Sequence, residues 1–248
     1  MQNTQNQYRI KPAESLHYLP HSNMHPSDTY FHFSFANYYD PTNMRFSLLR
    51  VLNDDAIAPH SGFGKHPHKD MQIVSYIIDG QLTHWDNVTN KEETIGAGHV
   101  QAISAGSGVW HSEKNLHDTP CRLLQIWLLP PHAGGEVRYS HKKFEAEERQ
   151  NRLLHIVGNP ENKQLAPLYV NADCNIYVSE LTGNEHSVSY KVNSGRQVYI
   201  NCIDGELNID GKALLKARDS VEIKGSQQLV FRAENSAAHL ILIDLPQE

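Results

Sequence analysis

His66-Pro67-His68 and His111-Ser112-Glu113 are the two stretches of this chain whose residue types and spacing could do chemistry. Each sets two metal-capable side chains at i and i+2, and on a β-strand those positions share a face. Two such strands lying side by side in a barrel would bring three imidazoles and one carboxylate together. That donor set suits iron, copper, nickel, zinc or manganese, and with coordination positions left open it suits non-heme iron that activates oxygen. The competing reading is of surface histidines in a chain that holds 16 of them. His17, His21, His25 and His32 fall in an irregular N-terminal stretch, and the count of histidines alone decides nothing.

The elements that would position these residues read as short strands broken by Gly, Asn and Asp turns. The run 71–78 is β-branched and aromatic-rich, and Asp79-Gly80 after it is a hairpin signal leading into 82–88. Gly96-Ala97-Gly98 and Gly106-Ser107-Gly108 punctuate the next strands, and the apolar run 122–129 stops at Pro130-Pro131. The second half continues in the same style through 175–181, 187–192, 198–203, 207–209, 220–223, 229–233 and 239–245. Many short strands at such spacing argue for a sandwich or barrel. Ile78-Asp79-Gly80-Gln81-Leu82 returns as Ile203-Asp204-Gly205-Glu206-Leu207 about half a chain later, which argues for duplication of one β-domain. The donors are not duplicated. The boundaries that follow are 1–139 for a metal-binding domain, 140–152 for a connector and 153–248 for a degenerate copy. Within the connector, 142–152 reads equally well as a short helix or as a solvated charged linker.

Composition narrows the function classes. A formal charge of −6 over 248 residues, with no Lys/Arg block, leaves no electrostatic footprint for direct nucleic-acid contact. The polar start lacks a signal-peptide core, and no run is long enough to span a bilayer, so a cytoplasmic protein is expected. Cys121, Cys174 and Cys202 are odd in number and widely spaced, which favours free thiols in a reducing compartment.

The first motif reads Gly64-Lys65-His66-Pro67-His68-Lys69-Asp70-Met71-Gln72, and the second runs from Gly98 to Gly106 and then through His111-Ser112-Glu113-Lys114-Asn115. This layout resembles the two signature motifs of the cupin superfamily. With Phe33-Ser-Phe-Ala-Asn-Tyr-Tyr-Asp-Pro41 upstream, the chain resembles the pirin family, closest in flavour to the bacterial pirin-like quercetinases. The resemblance is strongest from Tyr30 to Leu129. Many cupins draw their acidic ligand from four residues past the second His; here that position is Gln72, while pirins take the carboxylate from the second motif, where Glu113 stands.

The resemblance implies an all-β chain of two tandem cupin-type β-barrels, a bicupin, with the metal site in the N-terminal barrel. It implies His66, His68, His111 and Glu113 as ligands of one divalent cation, iron first, with copper, nickel, manganese or zinc as alternatives. It also implies a dioxygenase that takes a flavonol such as quercetin and O2, opens the central ring and releases carbon monoxide, with Glu113 as the catalytic base. The expected protein is a monomer that touches neither nucleic acid nor membrane. The rival from the same family is a metal-bearing regulatory protein that works through a protein partner.

Several other residues carry two readings. His84 could line the pocket, with a surface His beside a turn as the favoured alternative. Trp110 precedes a ligand and should face away from it, into packing. Asn115 reads as structural. Arg50, Asn53, Asp54 and Asp55 read as a turn, and Lys65, Lys69 and Lys114 as solvated charge.

Overall fold

The computed structural model describes residues 7–161 and 166–247. Its described residues are nearly all β. The chain divides into two compact units that do not follow a single cut along the sequence: 17–144 with 168–172, and 1–16 with 145–167 and 173–248. The boundaries read from the sequence therefore shift. The strand Gln7–Lys11 pairs antiparallel with Ser220–Lys224 and so belongs to the second unit. Arg138–Lys143, whose residues from Ser140 onward the sequence reading put in the connector, is a strand of the first unit paired with His99–Ser104. What remains of the connector holds a four-residue helix, Ala146–Arg149, closed by a reciprocal capping box between Glu145 and Glu148.

The first unit is built from two sheets. A seven-stranded sheet runs in the order Arg138–Lys143, His99–Ser104, Gln72–Asp79, Cys121–Leu128, Leu49–Ile57, Ser27–Phe31, His17–Leu19. A four-stranded sheet runs Ser61–His68, Val109–Asn115, Gln81–Asp86, Glu92–Gly96. Central strands such as Gln72–Asp79 are apolar and buried almost throughout. Ser61–His68, at the edge of the smaller sheet, is only half-buried. That edge position leaves its histidines open to a cavity.

Asp79-Gly80 is a corner rather than a hairpin. Gln72–Asp79 and Gln81–Asp86 belong to different sheets, and the chain crosses between them at Gly80. Gly80 has φ +77°, and a Cβ there would run into the backbone of Pro120 and Cys121. Its echo Gly205 has φ +80° and faces the same obstacle from Ala237 and Ala238, inside the unbroken strand Arg196–Ile209. The repeated pentapeptide thus marks the same bend in both units. In the second unit the strands expected at 198–203 and 207–209 are one, and 227–246 is likewise a single long strand bridging two expected ones. Its core gathers Val198, Ile200, Leu207, Val221, Phe231 and Leu240, all buried.

Candidate metal centre

The two motif strands lie side by side in the smaller sheet, antiparallel, with His111 opposite His66 and Val109 opposite His68. A bulge between His111 and Glu113 interrupts the ladder; such an irregularity re-aims side chains locally. The three imidazoles converge. Ring centroids lie 4.8 Å apart for His66 and His68, 4.5 Å for His66 and His111, and 4.8 Å for His68 and His111. One nitrogen from each of the three lies within 4.8 Å of the others. Glu113 lines the same pocket and joins a second such group, with His111 and His84.

Hydrogen bonding sets out what each side chain can offer. His66 Nδ1 sits 2.7 Å from the Gly64 carbonyl, which can only accept, so Nδ1 carries the hydrogen and Nε2 keeps its lone pair. Both ring nitrogens of His111 are buried without a partner. An orphaned buried imidazole costs free energy unless something meets it, and a metal ion is what this donor set fits. Glu113 is held by donors on all sides: Gln101 Nε2 at 2.6 Å and Ser75 Oγ at 3.3 Å reach Oε1, and Gln125 Nε2 reaches Oε2 at 2.9 Å. Burial lowers the pKa of His68 to about 4, with further lowering from His111 and His66. Burial likewise lowers His111 to about 3, helped by His66 and His84. Both rings are therefore neutral near pH 7, the state in which imidazole binds metal.

Above the histidines opens a cavity of about 470 Å³ with aromatic walls from Phe31, Phe35, Phe63 and Trp127. Trp127 stands edge-on to His68, with centroids 4.8 Å apart. Two polar groups from the strand Leu49–Ile57 also face the cavity. Asn53 presents an Oδ1 that is buried and unpartnered. Asp55 accepts from Thr29 Oγ1 and Ser27 Oγ, and Thr29 is in turn 3.0 Å from His25 Nε2. Burial pushes the Asp55 carboxyl up to about 7 against those two hydroxyls.

The structure corrects three residue readings. Arg50, Asn53, Asp54 and Asp55 lie on a strand rather than in a turn. Its alternation sends Asn53 and Asp55 into the cavity and leaves Asp54 to Arg122, at 2.7 Å. His84 is 1% exposed, not a surface residue. Trp110 does face away from His111, but into solvent at 50% exposure. His25 and His32, from the N-terminal stretch read as irregular, are respectively a cavity wall and fully buried. Asn115 is structural as read, tying Ile57 O at 3.0 Å and Thr119 O at 2.7 Å. Lys65 lies over the Trp85 ring, 3.6 Å from its centroid. The three cysteines are free and buried. Among the described residues no helix is long and apolar enough to cross a membrane.

Two cupin domains in one chain, the first with imidazoles gathered at a cavity, make this a bicupin. Comparison with known proteins narrows the class. The family profile described as Pirin matches residues 13–128, and that described as Quercetinase C-terminal cupin domain matches residues 157–245. A protein of Escherichia coli K12 named quercetin 2,3-dioxygenase is 38% identical over 227 residues, 91% of this chain and 94% of the relative. A pirin-like protein of Caulobacter vibrioides is 38% identical over 214 residues, 86% of this chain and 90% of the relative. The crystal structure of the bacterial pirin YhhW from Escherichia coli in complex with nickel(II) superposes with a TM-score of 0.87 at 32% identity, covering 98% of this chain and 100% of that one. The chain belongs to the pirin family.

Proposed function

We propose that this protein is a metal-dependent dioxygenase that opens the central ring of flavonols such as quercetin, taking up O2 and releasing carbon monoxide and a depside. The observation that carries the reading is the convergence of three imidazoles beneath an aromatic-walled cavity. His66, His68, His111 and Glu113 would hold one divalent ion, iron in our reading; the nickel complex of the Escherichia coli pirin supports a divalent site of this kind. Such an ion supplies Lewis acidity and open positions for a substrate oxygen and for dioxygen.

The remaining work falls to the chain. Phe31, Phe35, Phe63 and Trp127 offer flat apolar surface to the fused rings of a flavonol and keep water from them. The unpartnered Oδ1 of Asn53 can accept a ring hydroxyl. Glu113 takes the proton of the 3-hydroxyl, and the amides of Gln101 and Gln125 hold its carboxylate in place for that step. The relatives named quercetin 2,3-dioxygenase support this substrate class.

The test is oxygen uptake and carbon monoxide release by iron-loaded protein against a flavonol panel. Turnover of quercetin with one carbon monoxide per O2 is expected. If the loaded protein consumes no oxygen with any flavonol, the enzyme reading falls, and a metal-bearing regulatory protein acting through a protein partner takes its place.

A further inference from the structure

We infer that His84 and Asp86 form the outer half of the metal site, positioning and polarising the His111 imidazole through an Asp86–His84–His111 chain; this rests on the metal reading above. His84 and Asp86 sit on the strand Gln81–Asp86, directly across from Glu113 and His111 on the neighbouring strand. Both are buried, at 1% and 0% exposure.

Asp86 is a fixed acceptor. Its Oδ1 takes the backbone N–H groups of Val88 and Thr89, each at 2.7 Å, and its Oδ2 takes Thr89 Oγ1 at 3.1 Å and His84 Nε2 at 2.9 Å. A carboxylate only accepts, so His84 carries its hydrogen on Nε2 and leaves a lone pair on Nδ1. That Nδ1 is buried without a partner. Tyr139 lies flat on the His84 ring, centroids 4.4 Å apart and planes 3° from parallel, and so fixes the ring's plane.

His111 has the complementary deficit. Neither of its nitrogens has a partner, and a neutral imidazole must carry a hydrogen on one of them. When one nitrogen serves as ligand, the other is a buried N–H in need of an acceptor. His84 is placed to supply one once the rings turn toward each other: a ring nitrogen of each residue falls within 4.8 Å of the other, and the centroids are 5.6 Å apart. An orphaned donor and an orphaned acceptor on adjacent strands answer each other. A metal-bound histidine whose second nitrogen is backed in this way is a better and better-aimed ligand.

The test uses full-length protein with nickel(II) as the probe metal, and compares wild type with His84→Leu, His84→Gln and Asp86→Asn. His84→Leu fills the space without an acceptor and should weaken nickel binding by about 10- to 100-fold, with saturation still at one ion per chain. His84→Gln returns an acceptor and should recover part of the loss. Asp86→Asn places an amide donor against His84 Nε2, so His84 must move its hydrogen to Nδ1. Nitrogen NMR of zinc-loaded protein reads that change of tautomer, which a purely structural role would not produce. Folded His84→Leu and Asp86→Asn that bind nickel within twofold of wild type would overturn the inference, as would loss of a second ion from His84→Leu. If Asp86→Asn disturbs its turn and fails to fold, the two His84 variants decide the matter. Wild-type protein that binds no nickel sinks the metal site itself and this chain with it, an outcome separate from variants that bind as wild type does.

Discussion

Glu113→Gln separates the two roles proposed for Glu113. The change removes the charge and the basic site while keeping the shape. The surrounding hydrogen bonds show that the fold should accept it. If the new amide nitrogen takes the place of Oε2, it meets the Gln125 amide nitrogen, 2.9 Å away in the wild type, and two donors face each other. Flipping Gln125 resolves this by turning its Oε1 toward residue 113. The bond that Oε1 now accepts from Ser75 Oγ, at 3.0 Å, is then lost, but Ser75 can turn to the remaining oxygen of residue 113, already 3.3 Å away. Every polar atom keeps a partner. The net cost is the exchange of three charge-assisted hydrogen bonds for neutral ones, about 1 kcal/mol each, partly offset by removing a buried charge. Melting should therefore fall by only a few degrees, roughly 2–4 °C per kcal/mol. Metal affinity should drop, because an amide oxygen is a weak ligand. With metal at saturation, flavonol turnover should still fall by about a hundredfold, some 2.7 kcal/mol in the barrel's chemical step, because the positioned base is gone. The assay is oxygen uptake with quercetin at rising metal concentration, with occupancy measured by elemental analysis. Fully loaded Glu113→Gln that turns over at the wild-type rate would refute the base role.

Three further outcomes are expected. Elemental analysis should find about one divalent ion per chain, lost in the His66→Ala/His68→Ala double variant and kept in Glu206→Ala; stoichiometric metal in the double variant would refute the site. In metal-free protein, Asp55 has a folded pKa near 7 against 3.8 unfolded, so between those values the folded state binds the extra proton and stability falls as pH rises. Asp55→Asn should flatten that slope and gain stability at pH 8, by at most about 4 kcal/mol, as denaturant melts at several pH values will show. A chain ending at Arg152 loses Ser220–Lys224, the partner of Gln7–Lys11, and also residues 168–172 of the first unit. It should be insoluble or molten by gel filtration and dye binding, and a cooperative melt would count against this.

What the sequence discloses here follows the range of the forces involved. The gathering of His66, His68 and His111 is legible because the two-residue period of a strand is local and a ligand pair at i, i+2 survives any choice of neighbour. Asn53 and Asp55 share that same spacing, yet clustered Asn and Asp read as a turn until the pairing of Leu49–Ile57 with Cys121–Leu128 is known. His84 was hidden for the same reason: its burial comes from Val109–Asn115 on one side and the stacked ring of Tyr139 on the other. Asp79-Gly80 signals a change of direction correctly, but the sheet that receives the next strand is set by its pairing with Val109–Asn115, further along the chain. The strand Gln7–Lys11 has no local cue at all, since its partner lies near the other end.

That distant pairing bears on how the protein is made. Ile10 meets Val221, about 210 residues later, so at 5–20 residues per second the first strand waits roughly 10–40 s on the ribosome before its partner exists. A waiting strand is a template for wrong pairing, and charged side chains are the usual protection. Arg9 and Lys11 provide it. When Glu222 finally emerges it sits opposite Arg9 in the register, and its carboxylate takes Lys11 at 3.1 Å and Arg9 at 3.5 Å. The two cations that keep the nascent strand apart from its neighbours thus become the marks by which the late strand finds its place.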